Sequence, residues 1–132
     1  MPITIRQNVR FSWLYVDDLV NIIDGVLTLL PNHYDYNLTP PETTDLITIA
    51  ETINSVSEYP SDIIVENPGY NFEYSGDNGR LQRWMPSTSF TPMKTAIQEL
   101  FEYYRGILPS IETATIYNDP YAGRCMINPG GK

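Results

Sequence analysis

Trp13-Leu14-Tyr15-Val16-Asp17-Asp18-Leu19-Val20 is the stretch from which the fold can be worked out. Its first four residues are aromatic or branched, which favours a packed strand. The two aspartates favour a helix start, because a carboxylate there accepts hydrogen bonds from free amides and opposes the positive end of the helix dipole. Apolar residues then recur with a helical period at Leu19, Val20, Ile23, Val26, Leu27 and Leu30, before Pro31. We therefore predict a buried strand that runs into an amphipathic helix capped by Asp17 and Asp18.

The rest of the chain predicts a series of short elements around this junction. They are a strand at residues 3–5, a turn at 7–8, a strand at 34–39, a helix at 44–56 capped by Thr43 or Thr44, a strand at 63–65, a turn at 67–69, a strand at 72–74, a short helix capped by Asp77 that carries Leu81 and Trp84, and a last helix. The last helix has the clearest start, with Thr91 as its cap and Pro92 at the first helical position, where a missing amide costs nothing. Gly106 is its predicted stop.

About three main helices and three or four short strands predict a small α/β fold. Residues 1–109 are expected to form one lobe, and residues 110–132, whose composition is rich in turn-forming residues, an irregular C-terminal tail. The strand–glycine loop–helix units of a Rossmann domain do not occur in the sequence. The lobe is therefore not expected to bind a nucleotide cofactor by itself.

Composition narrows the classes of function. The chain has 132 residues, which is enough for one domain or for a piece of a larger protein. Its net charge of −8 argues against a nucleic-acid partner, because phosphates would be repelled. No apolar run has the length of a membrane span, and the N-terminus lacks a signal-peptide pattern. A single cysteine fits a reducing compartment, so a cytoplasmic location is expected.

The usual motifs of catalysis are missing from the sequence. There is no Gly-x-Gly-x-x-Gly fingerprint and no phosphate-binding loop. His33 has no second histidine or cysteine near it, so no metal site is predicted, and Cys125 is interpreted as a plain thiol. Asp17 and Asp18 have no acid–base partner nearby in sequence. No catalytic residue is therefore assigned to this chain.

The run Leu14-Tyr15-Val16-Asp17-Asp18-Leu19-Val20 resembles a conserved block of the extended short-chain dehydrogenase/reductases, the NAD-dependent epimerase/dehydratase family. Four further blocks follow in the family order: Tyr36-Asn37-Leu38; Thr44, Leu46, Ile49 and Ala50; Tyr74, Ser75, Gly76, Asp77, Leu81 and Trp84; and Thr91, Pro92, Leu100, Tyr104 and Arg105. The resemblance covers residues 1–108. It implies that the chain is similar to the C-terminal, substrate-binding half of such an enzyme.

The resemblance also implies where the chemistry resides. In the family, NAD or NADP and the Tyr-x-x-x-Lys pair belong to an N-terminal Rossmann domain, which this chain does not contain. The chain alone is therefore expected to hold no cofactor and to be inactive. Its expected ligand is a sugar or nucleotide-sugar derivative, bound together with the Rossmann domain.

Four residues are the predicted substrate contacts: Arg10, Phe11, Asn67 and Tyr70. Two family positions carry arginines that hold the diphosphate of a nucleotide-sugar, and guanidinium suits phosphate oxygens. Here the first position is Phe11, with Arg10 one residue early, and a shift of one residue on a strand reverses the face. The second position is Asn67. Both departures favour a less charged ligand. The structural alternatives are that Phe11 packs in the core and that Asn67 caps a turn.

A second hypothesis is non-enzymatic. The chain would then be an interaction or dimerisation module that retains the lobe scaffold, and its ten tyrosines would suit a binding surface. A lobe that docks on another domain is expected to expose a large apolar face and to self-associate through it, whereas an independent module is expected to have a polar surface and to remain monomeric.

Overall fold

The computed structural model describes residues 1–117 and 125–131 and shows a small mixed α/β fold. The strands are β1 (Ile3–Asn8), β2 (Arg10–Phe11), β3 (Thr44–Asp45) and β4 (Ile63–Tyr70), and the helices are α1 (Val16–Thr28), α2 (Leu46–Val56), α3 (Gly79–Trp84), α4 (Met93–Ile107) and α5 (Thr113–Tyr117). The predicted fold class is therefore confirmed, with α1, α2 and α4 as the main helices.

The strands form two small sheets. β1 and β4 pair in parallel, with Ile5 opposite Val65, and β2 and β3 pair in antiparallel fashion, with Arg10 opposite Asp45. Among the described residues, the buried apolar side chains come from β1, from the residue after it and from four helices. They are Ile5 and Val9, followed by Ile22, Ala50, Leu81 and Ile97 of α1, α2, α3 and α4. Among the described residues, no helix combines the length and the apolar content needed to cross a membrane.

The predicted strand at residues 13–16 is wrong. The ladder ends at Phe11, and Trp13, which is partly exposed, lies in an irregular segment before α1. Its indole Nε1 donates to the carbonyl oxygen of Thr44 at 3.0 Å, so the side chain rather than the backbone joins this segment to β3. Aromatic and branched residues fit a packed surface, and that preference does not by itself create a strand partner.

Helix α1 forms where it was predicted but buries a different face. Asp18 and Ile22, four residues apart, are its buried positions. The predicted core residues Ile23, Leu27 and Leu30 are exposed, the last two at 80% and 94%. The helical period was therefore correctly identified, while the face that meets the core was not.

Two turn predictions are wrong because both segments lie in the parallel sheet. Gln7 and Asn8 end β1 and are buried. Residues 67–70 lie opposite them in β4, and the register shifts there because residues 68 and 69 bulge out of the ladder. Gly69 has φ 75°, a conformation that residues with a Cβ rarely adopt. Proline and glycine here mark a bulge inside a strand, not its end.

Two strand predictions also fail. Residues 34–39 form no strand, and their side chains instead tie them to the segment before α3: Asn37 Nδ2 donates to the Asp77 carbonyl at 2.9 Å, and Thr39 Oγ1 donates to the Gly76 carbonyl at 3.0 Å. Residues 72–74 contribute a single bridge, between Tyr74 and Phe11.

The helix ends differ in detail from the predictions. α2 is capped by Asp45, whose Oδ1 accepts from Thr48 N, and not by a threonine. α4 continues through Gly106 into a 3₁₀ turn at Leu108–Ser110. In the predicted irregular tail, α5 is helical, residues 128–131 form the expected turn, and residues 118–120 lie outside the described residues.

Candidate functional site

Arg10 and Tyr70 come together at one corner of the fold. The Arg10 guanidinium carbon lies 4.8 Å from the centroid of the Tyr70 ring, within the range of a cation–π contact. The Tyr70 hydroxyl donates to Asp45 Oδ2 at 3.2 Å, and Asp45 is the ladder partner of Arg10. A cation, an aromatic ring and a carboxylate from β2, β4 and β3 thus form one polar corner.

Asp45 keeps its negative charge in this corner. Burial of the carboxyl favours the neutral form, but the hydrogen bonds from Thr48, Tyr70 and Asn8 outweigh it, so the pKa of Asp45 lies below its ordinary value of 3.8. The carboxylate is therefore ionised at neutral pH. Its charge sits beside the strand position of Arg10, which reduces the attraction of the corner for a strongly anionic ligand.

Phe11 belongs to a different surface from Arg10, because successive residues of a strand point to opposite faces. Its ring stacks on Tyr74, with centroids 5.3 Å apart and an interplanar angle of 12°. Trp13 meets it edge-on at 4.9 Å. These rings line an open groove of about 720 Å³ between β1 and α2, which we call the aromatic groove. Phe72 also lines it, and Gln7 and Asn71 are among its polar groups.

A second, more apolar groove of about 420 Å³ lies between α2 and α4. It shares Trp13, Ile49 and Ile53 with the aromatic groove, so the two form one continuous concave face. Pockets that hold small molecules are concave and mostly apolar with a few placed polar groups. Of the two, the aromatic groove has side-chain amides in its lining, whereas the second groove has hydroxyl groups of Thr91, Tyr15 and Tyr104.

The side chain of Asn67 has a structural role in the fold. Its Nδ2 donates to the Arg6 carbonyl at 2.8 Å across the β1–β4 ladder. The prediction that it lies in a turn was wrong, and its amide nitrogen is occupied by backbone. Of the four predicted contacts, Arg10 and Tyr70 meet, Phe11 lies in the aromatic groove, and Asn67 lies with neither. Their roles in ligand binding stay predictions.

Sequence reasoning missed Asp45 as a member of the polar corner and Gln7 as a groove residue. An aspartate immediately before a predicted helix is a cap signal that could have identified Asp45. Nothing in the local pattern indicated that Tyr70, 25 positions later, would donate to the same carboxylate. Gln7 was assigned to a turn, so its burial in the sheet was not expected.

Cofactor and metal sites do not emerge from the described residues. Within residues 1–117 and 125–131, no three histidine, cysteine, aspartate or glutamate side chains cluster as metal ligands do. The start of α1 carries Asp17 and Asp18, which would repel the pyrophosphate of a dinucleotide. The start of α2 is already occupied by the Asp45 carboxylate. Neither of these two helix starts therefore offers a free site for a pyrophosphate.

Comparison with family models, with curated proteins and with solved structures finds no match to this chain. The functional proposal therefore depends on the geometry of the two surfaces and on the block order in the sequence.

Proposed function

We propose that this chain is the substrate-binding portion of an NAD(P)-dependent epimerase, dehydratase or reductase that acts on a sugar or nucleotide-sugar derivative. The observation that carries the proposal is the aromatic groove. Exposed rings of Phe72 and Tyr74 border it, and side-chain amides of Gln7 and Asn71 line it. The flat exposed rings suit the apolar ring face of a sugar. The amides of Gln7 and Asn71 are bonded to the backbone of residues 126 and 128, and they reach the hydroxyl groups of a ligand only when that segment moves away.

The polar corner, whose residues come from β2, β3 and β4, supplies a more selective contact. The Tyr70 ring holds the Arg10 guanidinium by one face, which leaves the planar N–H edge free to donate. Asp45 offsets part of the positive charge. The corner therefore favours a ligand with a modest negative charge over a diphosphate, in agreement with the absence of arginine at positions 11 and 67.

In this proposal the hydride chemistry belongs to a cofactor-binding domain that docks on the chain. A docking face is supported by an apolar stripe on α1 and the residues after it, spaced alternately four and three apart: Val16, Val20, Ile23, Leu27 and Leu30. All five side chains are exposed. Contiguous exposed apolar patches of this kind mark interfaces rather than ordinary surface.

The second candidate, a non-enzymatic interaction or dimerisation module, is supported by the exposed tyrosines Tyr34, Tyr59 and Tyr103. The apolar stripe does not support it, because an independent module is expected to have a polar surface. The two functions differ in what the stripe meets and in whether the aromatic groove binds a sugar. Sedimentation velocity and ligand titration together distinguish the two functions. A chain that remains monomeric and binds no sugar is the module, whereas a docking lobe self-associates through the stripe and loses that association in Leu27→Lys.

The proposed function is tested by NMR titration of the chain with UDP-glucose, methyl glucoside and NAD⁺. We expect the two sugar probes to shift signals of the aromatic groove, and we expect UDP-glucose to leave Arg10 little changed, because Asp45 disfavours a diphosphate at the polar corner. Phe72→Ala should weaken sugar binding, whereas Tyr34→Ala, which removes a fully exposed ring outside the groove, should leave it unchanged. Binding of NAD⁺ by the chain alone, or no response to either sugar, would overturn the proposal.

A further inference from the structure

The segment Met126–Gly131, which we call the C-terminal strap, lies against the parallel sheet. Asn128 N donates to Gln7 Oε1 at 2.7 Å, and Gln7 Nε2 donates back to the Asn128 carbonyl at 2.8 Å. Asn71 Nδ2 donates to the Met126 carbonyl at 2.7 Å. The Gln7 side chain thus pairs with the strap as a strand backbone would, and the strap satisfies an amide group that is only 5% exposed.

Two glycines let the strap approach the sheet at backbone distance. A Cβ on Gly131 would overlap the Tyr70 carbonyl oxygen, and a Cβ on Gly69 would overlap the Gly131 carbonyl oxygen. Gly130, the neighbouring residue of the strap, has no such restriction. The nearest atom to a Cβ at this position would be Asn128 Oδ1, at 3.9 Å. The fit of the strap on the sheet therefore depends on position 131 and not on position 130.

The strap also forms part of the wall of the aromatic groove, which Met126 lines. It is held mainly by hydrogen bonds, and Met126 remains 79% exposed. The net free energy of these few hydrogen bonds is smaller than the conformational entropy cost of ordering six residues, so the strap is held weakly compared with the sheet. It can therefore open locally while the sheet stays folded.

We propose that the C-terminal strap is a reversible latch on the aromatic groove. When the strap is closed, Gln7 and Asn71 are bonded to its backbone and cannot bond a ligand. When it opens, Gln7 Oε1 and Asn71 Nδ2 lose their strap partners and can bond a ligand, while Gln7 Nε2 keeps its bond to the Pro68 carbonyl. The latch is defined without a ligand, so its test and that of the proposed function can fail independently.

Hydrogen exchange followed by mass spectrometry and NMR tests the latch in the full chain. In the wild type, the Asn128 amide should exchange faster than the amides of the β1–β4 ladder, because the strap opens without the sheet. Equal protection of the strap and the ladder would overturn the proposal, since the strap would then be part of the global fold. This measurement needs no variant to fold.

Gly131→Ala should release the strap, and Gly130→Ala is its matched control. We expect exchange at Asn128 to be about tenfold faster in Gly131→Ala, with the ladder amides unchanged, because exchange reports local opening. Binding of 1-anilinonaphthalene-8-sulfonate should rise in the same variant and not in Gly130→Ala, because apolar groove surface is uncovered. Faster exchange without a rise in dye binding would show that the strap does not close the groove and would overturn the proposal.

Discussion

The starts of helices α1 and α2 each carry an aspartate, and the two carboxylates are used differently. Asp45 precedes α2 and accepts from Thr48 N, three residues later, at 2.8 Å. Asp18 lies in the first turn of α1 and caps nothing in its own helix. It accepts from the amide and the hydroxyl of Thr91, 73 positions away, at 2.8 and 2.7 Å.

The difference teaches that an acidic residue at a helix start has two possible uses. A local cap stabilises one helix, whereas the Asp18–Thr91 pair joins the start of α1 to the start of α4. A second long-range bond reinforces it, from the Tyr15 hydroxyl to Glu99 of α4 at 2.7 Å. The α1 start is therefore a tertiary junction, and the α2 start is chiefly a secondary-structure feature.

The largest expected effect comes from breaking this junction. Asp18→Ala should lower the free energy of unfolding by about 3 kcal/mol, because two charge-assisted hydrogen bonds are lost and the part-buried Thr91 donors are left unpaired. Asp17→Ala is the matched control on the exposed side of the same turn, and its effect should stay within about 0.5 kcal/mol. Urea unfolding followed by circular dichroism measures both.

A double-mutant cycle with Thr91→Ala distinguishes a direct interaction between Asp18 and Thr91 from an interaction of the Asp18 charge with the dipole of α1. If Asp18 acts through Thr91, the two substitutions should be strongly non-additive. Additive effects would mean that the bond from the Thr91 hydroxyl contributes nothing, because Thr91→Ala removes that donor and keeps the backbone amide donor to Asp18.

A smaller effect is expected at the local cap. Asp45→Ala should lower the free energy of unfolding by about 1 kcal/mol, the usual cost of losing an N-cap side chain. Thr43→Ala, at a position that the sequence also offered as the cap, should change it by less than about 0.5 kcal/mol. If Thr43→Ala were the more damaging variant, the assignment of the cap to Asp45 would be wrong.

Features of the fold that depend on neighbouring residues could be predicted from the sequence, and features that depend on long-range bonds could not. The three main helices, the strand at 63–65 and the fold class could be predicted, because helical periodicity and branched runs are properties of neighbouring residues. The buried face of α1 could not, because it is set by the Asp18–Thr91 bond and by Ile22. An apolar stripe identifies a helix, but it does not say which surface the helix meets.

The candidate site divides in the same way. Arg10, Phe11 and Tyr70 were named from the sequence, but their separation into a corner and a groove depends on the strand partners. Gln7 and Asn67 were both assigned to turns, and for Asn67 the reason was the Pro68-Gly69 pair that follows it, which is typical of turns. Their pairing across the parallel sheet joins segments about 60 residues apart, which local patterns do not encode.

The pH dependence of the free energy of unfolding tests the role assigned to the Asp45 carboxylate. The folded pKa of Asp45 lies below its ordinary value of 3.8 because hydrogen bonds from Thr48 and Tyr70 outweigh burial. Its contribution to stability is therefore present above that value and is lost as the pH falls through the folded pKa. The difference in free energy of unfolding between wild type and Asp45→Asn should be constant near neutral pH and change only in acid. A difference that already changes near neutral pH would contradict the assigned direction.

The smallest expected effect concerns Tyr15, the residue before α1. Its hydrogen bond to Glu99, followed by desolvation and by the charges of Glu99, Asp17 and Asp18, raises the pKa of Tyr15 from 10.0 to about 12. A raised folded pKa stabilises the protein below pH 10.0, and this contribution is lost as the pH rises through about 12. The tyrosinate difference spectrum of wild type against Tyr15→Phe measures the midpoint. Glu99→Gln should move it back towards 10.0, because the amide keeps an acceptor but carries no charge. A midpoint unchanged by Glu99→Gln would mean that Tyr15 is not bonded to Glu99 of α4. The contact between the starts of α1 and α4 would then depend on the Asp18–Thr91 hydrogen bonds.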